Sequence, residues 1–208
     1  MPMYVEVDHP CIQHKLALIR NKETGHKKFR ELTNEITMFL CYEALKQVQV
    51  EEVAVETPVA PTTCKRIAND IVVVPVLRAG VGMLEGILDL VPIAKVGFVG
   101  MQRDEETATP VEYYQKLPTF HKDALYIVVD PMLATGGSTI ATLDLLKAGG
   151  VERIIVICMV TCPEGIAAVE KTHPDVQIYT AAVDDHLNEK KYIVPGLGDA
   201  GDRLYGTV

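Results

Sequence analysis

The segment IVVDPMLATGGSTI, residues 127–140, joins a strand to a helix through an acid, a proline and a turn of small residues. Tyr126 to Val129 are near-pure strand formers, and an apolar helical rhythm resumes at Ile140. Between them, Gly136 and Gly137 admit backbone angles closed to other residues. Successive N–H groups in such a turn curl into an anion-binding concavity at a helix N-terminus. Thr135, Ser138 and Thr139 add hydroxyl donors. No Gly-Lys-Ser/Thr follows, so this is not a Walker A loop. With no lysine the backbone must hold the anion, which suits a terminal phosphate monoester better than a triphosphate. Asp130 at the strand tip can accept from hydroxyl donors such as those of a ribose. The segment therefore reads as a ribose 5-phosphate site, with a capped strand–helix turn as the plainer alternative.

Working outward, the same texture repeats. Apolar β-rich runs stand at 70–77, 93–101, 124–130, 153–161 and 176–184, and helical patterns fill Ala79 to Leu90, Ser138 to Ala148 and Glu164 to Lys171. Continuous apolar strands alternating with helices predict an α/β fold, a mainly parallel sheet flanked by helices on both faces. Upstream, TGHKKFRELTNEITMFLCYEALKQV (24–48) places Phe29, Leu32, Ile36, Phe39 and Leu40 on one helical face. EEVAVETPVAP (51–61) reads as an exposed strand and turn. The expected organisation is one domain over 1–208: a helical arm at about 10–48, a core at about 50–184 and a C-terminal segment at about 185–208.

Ligands of such sheets bind at the carboxyl ends of the strands. The 70–77 strand is followed by Arg78 and by Gly80, Gly82 and Gly86. The dinucleotide fingerprint Gly-x-Gly-x-x-Gly fails by one position, where Glu85 stands, and it is weak even when complete. An arginine at the end of a buried strand needs an anionic partner, either a structural carboxylate or a bound phosphate. The next strand presents Arg103, alone a solvated residue opening a loop but on the same sheet edge as Arg78. Residues 104–118 are polar and proline-broken, and they read as a lid-like loop.

The chain's 208 residues, 48% of them hydrophobic, suffice for one substantial core. A net charge of −8 disfavours a nucleic-acid or membrane-surface binder, leaving room for a local cationic pocket. No apolar run is long enough to span a bilayer, and MPMYVEVDHP does not read as a secretory signal, so a cytoplasmic location is expected. Cys11, Cys41, Cys64, Cys158 and Cys162 form an odd set without a Cys-x-x-Cys pair, read as free thiols packed in the core.

These motifs carry a resemblance. VVDPMLATGGS (128–138) is similar to the phosphoribosyl-diphosphate (PRPP) motif of type I phosphoribosyltransferases, and specifically of the uracil phosphoribosyltransferases. HPCIQHKLALIRNKETGHKKFRELTNEI (9–36) resembles their helical arm, and VPVLRAGVGMLEG (74–86), GMQRDEET (100–107) and YIVPGLGDAGDRLYGT (192–207) resemble their diphosphate, arginine and base-binding segments. The likeness covers essentially the whole chain in the family's order. It implies transfer of a 5-phosphoribosyl group from PRPP to uracil, giving UMP and diphosphate. Pro131 follows Asp130 where most type I members carry a second acid, a substitution the uracil enzymes share.

The resemblance implies PRPP contacts from Arg78, Arg103, Asp130, Pro131, Met132, Leu133, Ala134, Thr135, Gly136, Gly137, Ser138 and Asp199. Arg78, Arg103 and Asp199 would serve catalysis, with Mg²⁺ carried in on PRPP. It implies a base-binding hood at the C-terminal end of the sequence, where Ile193, Gly198, Asp199 and Ala200 meet uracil. The apolar Tyr192-Ile193-Val194 lead-in and the lack of lysine or serine enrichment already argue against a loose tail. Uracil offers acceptors at O2 and O4 around an N3–H donor, which two backbone N–H groups and one C=O match; cytosine breaks both ends of that pattern. Asp199 could instead brace its own loop. The resemblance also implies a cis Leu77–Arg78 peptide, a homo-oligomer and a possible GTP effector.

Overall fold

The computed structural model describes residues 3–103 and 110–207, with the backbone alone at Gln102, Arg103 and Pro110. A short strand, β1 (Tyr4–Glu6), precedes two helices. α1 (Pro10–Arg20) begins where the His9 ring nitrogen accepts from the Cys11 N–H at 3.1 Å, with Pro10 in the first turn, where a missing N–H is tolerated. α2 (His26–Ala44) buries Phe29, Leu32, Ile36 and Leu40 at helical spacing. Phe39 lies at the edge of that stripe, half-buried and stacked on His9.

β2 (Val50–Glu56) and β3 (Pro61–Ile67) pair antiparallel as a hairpin from Val50↔Ile67 to Glu56↔Pro61. The sequence indicates only the first of these strands. The return strand, PTTCKRI, lacks an alternating pattern because neither of its faces is buried. β4 (Ile71–Leu77) then enters the core. It leads through a 3-10 turn at Ala79–Met83 into α3 (Leu84–Leu90). β5 (Lys95–Val96) and β6 (Phe98–Arg103) divide the expected 93–101 strand at Gly97.

The expected loop at 104–118 needs correction. Residues 104–109 lie outside the described residues, but β7 (Pro110–Lys116) is a strand antiparallel to β6. It hides from a pattern search because Val111 to Lys116 are all exposed, so no apolar face marks it. The remaining elements are β8 (Leu125–Val129), β9 (Met132–Leu133), α4 (Gly137–Ala148), β10 (Arg153–Thr161), α5 (Pro163–Thr172), β11 (Gln177–Val183), β12 (His186–Leu187), β13 (Ile193–Val194) and α6 (Ala200–Tyr205).

Among the described residues the main sheet runs β1-β11-β10-β8-β4-β6-β7, with β5 beside β4 and β9 beside β10. Every pairing except β6–β7 is parallel, as the continuous apolar runs predict. Side chains alternate between two cores. Val73, Ile127, Val129, Ile155 and Ile157 face one that includes α1, α2 and the C-terminal residues Ile193, Leu197 and Leu204. Val72, Val74, Tyr126, Val128 and Val156 face the other, with Leu143 and Leu146 of α4 and Ile166 and Val169 of α5. At ~1.5–3 kcal/mol for each fully buried large apolar side chain, the two layers pin both faces of the sheet. β4, β8, β10 and β11 therefore deliver Arg78, Asp130, Cys162 and Asp184 to one edge.

Cys41, Cys158 and Cys162 are buried free thiols, as expected. Cys11 and Cys64 are free but exposed, on α1 and on the hairpin, so core packing does not extend to them.

Candidate active site

After β8 the chain dips into β9, which pairs with β10 in parallel through Met132↔Val160 and Leu133↔Thr161. The carbonyls of this loop are engaged within the protein. Pro131 O accepts from the Met159 and Val160 N–H groups at 3.0 and 3.1 Å, Leu133 O from the Thr161 hydroxyl at 2.9 Å, and Ala134 O from the Cys162 thiol at 3.5 Å. Those acceptors are thus held by β10 and the residue after it. Gly136 then takes a left-handed conformation, φ +81°, and caps α4, its carbonyl accepting from the Ile140 N–H at 2.8 Å. An L side chain is strained there, and a Cβ would press within 3.2 Å of Ala168. The first turn of α4 thus points its N–H groups to the same end as the Thr135 and Ser138 hydroxyls, and the Gly137 N–H makes only a long contact with Thr135 Oγ1 at 3.5 Å.

Asp130 is half-buried at the end of β8, and its Oδ1 accepts from the Met132 N–H at 3.4 Å. Burial pushes its carboxyl up to about 7; that weak bond opposes the shift and the charge of Asp199 adds to it. Asp199 caps α6 by accepting from the Asp202 N–H at 2.9 Å, while its side chain stays exposed. The bracing role left open for Asp199 is therefore real, and the carboxylate still faces the site.

The C-terminal segment is more regular than its sequence suggests. β13 pairs antiparallel with β12 through Leu187↔Ile193, and α6 follows the Asp199 cap. Leu204 of α6 is fully buried, and its side chain fills the space a Cβ on Gly82 would need. The segment is therefore a packed hood over the turn after β4. The Leu77–Arg78 peptide is cis, as the resemblance implies, and Val194–Pro195 is cis as well.

One cavity of about 390 Å³ unites these parts, within the usual range for small-molecule sites. Asp130, Met132, Ala134, Thr135 and Ser138 line it from the phosphate loop, and Ile193, Gly198, Asp199 and Ala200 from the hood. Pro131, Leu133, Gly136 and Gly137 shape the loop without lining the cavity. Arg78 stands beside it: Ala79 and Gly201 line the cavity, and the exposed guanidinium pairs with Asp202 at 3.3 Å. β6 ends at Arg103, whose side chain lies outside the described residues.

Sequence reasoning missed Lys190 and Lys191, which also line the cavity, and placed Tyr192 only in the lead-in to the hood. Lys191 is a non-glycine residue at φ +66°, a conformation its sequence does not announce. The Asn188-Glu189-Lys190-Lys191 run reads as an ordinary polar turn, and only its position beside β13 makes it part of the site.

Among the described residues no group of three or more His, Cys, Asp or Glu could cage a metal. The site nonetheless fits Mg²⁺, which keeps several waters and is commonly held by one or two carboxylates together with substrate phosphates. Asp199 offers such a carboxylate on the cavity wall.

Comparison with known proteins agrees with this architecture. A family model described as uracil phosphoribosyltransferase matches residues 5–207. The uracil phosphoribosyltransferase of Symbiobacterium thermophilum is 55% identical over 208 residues, all of both chains. A solved structure from Aquifex aeolicus superposes with a TM-score of 0.93 at 41% identity, covering 99% of each chain. An adenine phosphoribosyltransferase from Trypanosoma brucei shares the fold alone, with a TM-score of 0.61 at 14% identity over 96% of this chain and 89% of its own.

Proposed function

Since the chain belongs to the uracil phosphoribosyltransferase family, we propose that the cavity at the strand ends is where it transfers the 5-phosphoribosyl group of PRPP to uracil, giving UMP and diphosphate. The observation that carries this assignment is the meeting of a phosphate loop and a glycine-turned backbone segment in one cavity. The first suits the ribose 5-phosphate and the second a planar base.

The roles follow from the chemistry each group presents. The backbone and hydroxyls of Thr135 to Ser138 anchor the 5-phosphate, so binding energy remote from the reacting carbon fixes its position. Asp130 accepts from the ribose hydroxyls. Breaking the anomeric C–O bond leaves an oxocarbenium-like ribose, by analogy with glycoside cleavage, and charge gathers on the departing diphosphate. Arg78 and Arg103 neutralise that charge as it develops. Asp199, on the cavity wall, is the carboxylate that would hold Mg²⁺ brought in with PRPP, and the ion would supply further neutralisation of the leaving group. Backbone groups at Ile193, Gly198 and Ala200 pair with uracil. A site built for the O2, N3–H, O4 pattern rejects cytosine because its own polar groups are left unpaired, a penalty that can reach ~10⁴–10⁵ in selectivity.

The reading also includes a homo-oligomer and a GTP effector, which rest on the family resemblance, and a cytoplasmic location, which rests on the sequence pattern. Light scattering and a GTP titration of the rate test the first two. The central experiment is a base panel: protein, PRPP and Mg²⁺ with uracil, cytosine, orotate, hypoxanthine or adenine, read by chromatography. UMP from uracil alone is expected; nucleotide from a purine, or from no base, overturns the reading.

A further inference from the structure

The hood's turn between β13 and α6 has no regular ladder, yet its backbone is held closely. Gly196, at φ +59°, is the pivot. Its N–H donates to Asp184 Oδ2 at 2.8 Å, and its C=O accepts from Arg20 Nη1 at 2.8 Å. Arg20 and Asp184 are themselves joined twice at 2.7 Å, Nη1 to Oδ2 and Nη2 to Oδ1. Asp184 is only 7% exposed, and its own N–H donates to Thr161 O at 2.8 Å, which fixes it to the end of β10. A second arginine holds the next carbonyl, with no carboxylate partner among the described residues. Arg203 donates to Leu197 O at 2.7 Å and to Asn21 O at 2.6 Å, with its guanidinium 4.4 Å above the Phe29 ring.

We propose that Arg20 and Asp184 are positioning residues for base recognition: their bidentate pair grips Gly196 by both backbone groups and so sets how Ile193 and Gly198 face the base. This deepens, and rests on, the uracil reading above. Gly196 lies three residues after Ile193 and two before Gly198, both on the cavity wall, while neither Arg20 nor Asp184 lines the cavity. The position of Gly196 also admits no side chain, because a Cβ there would collide with the Ile193 carbonyl. A shift of the pivot therefore moves the base-facing backbone directly. The phosphate loop hangs on β10 through separate bonds and keeps its shape.

This arrangement predicts a split between substrates that a merely stabilising ion pair would not produce. The test is steady-state kinetics of the full chain for wild type, Arg20→Met and Arg20→Lys, varying uracil and PRPP separately. In Arg20→Met the KM for uracil should rise about tenfold or more, because a buried charge-assisted grip is lost, with kcat and the KM for PRPP within about threefold. Arg20→Lys keeps the charge but cannot span both Asp184 oxygens and Gly196 O, so its KM for uracil should fall between the two. If Arg20→Met does not fold, Arg20→Lys decides by the same split. Parallel rises in both KM values, or an unchanged KM for uracil, overturn the proposal. If the wild type makes no UMP, the uracil reading itself fails and the positioning role falls with it; UMP from the wild type with no split sinks the positioning role alone.

Discussion

Asp130 follows β8 and Asp199 caps α6, sixty-nine positions apart, yet both carboxylates face one cavity and the charge on Asp199 helps to keep a proton on Asp130. With its carboxyl pushed up to about 7, mainly by burial, folded Asp130 binds its proton more tightly than the unfolded chain does. The linked stability is fully present below the usual aspartate range near 4 and is lost as pH rises through about 7. We expect the protein, in EDTA and without PRPP, to lose on the order of 2–4 kcal/mol between pH 4 and pH 8 from this group. Asp130→Asn should flatten that part of the profile. Urea denaturation of both proteins across this range measures the difference, and coincident profiles would dismiss it.

Arg78 tests the assignment of the diphosphate end. Its guanidinium is exposed and its pair with Asp202 is 3.3 Å long, so Arg78→Ala should cost under ~1 kcal/mol of stability. Its loss from charge neutralisation in the transition state should cost about 10²–10³ in kcat. Kinetics beside a melting curve separate the two effects; a large drop in melting temperature with normal turnover would reverse the reading.

Gly136→Ala addresses the phosphate loop. A non-glycine residue at φ +81° costs roughly 1–2 kcal/mol, and the new methyl would crowd Ala168. The anchored 5-phosphate should suffer most, so the KM for PRPP is expected to rise while the KM for uracil at saturating PRPP stays near wild type. Equal changes in both would point to a loop that shapes the whole cavity.

The thiols give a check independent of activity. Burial pushes Cys41 and Cys158 up to about 12 and raises Cys162, so their reactive thiolates are suppressed. Of the five cysteines, exposed Cys11 and Cys64 should account for the fast phase with a thiol reagent under native conditions. Cys11→Ser/Cys64→Ser should remove that phase and leave turnover unchanged. A fast phase surviving in the double variant would mean that a buried thiol is reached.

The sequence discloses the parts of this site that are local. Asp130 and Thr135 to Ser138 lie within nine residues, and strand, turn and helix each carry their own chemical signal. Although the short β1 and β9 are too brief to show a pattern, the long central parallel strands β4, β8 and β10 are legible because both faces are covered and their apolar runs are nearly continuous. The β3 return strand and β7 are not, since they are exposed and owe their form to the strands beside them. The short α6 is decided by the Asp199 cap and by packing around Leu204, neither visible as a period over six residues. Least legible of all is the grip of Arg20 on Asp184, across 164 positions.

That separation gives the two halves of the site different folding histories. The phosphate half closes over a handful of residues and can take shape once β8, α4 and β10 have met. The base half must bring Arg20 to Asp184 and Asn21 to Arg203, the latter across 182 positions, so its loop-closure cost is met only when nearly the whole chain has collapsed. The expected order, phosphate half before base half, would be recorded by whether amides of the loop gain protection from hydrogen exchange during refolding before those beneath the hood.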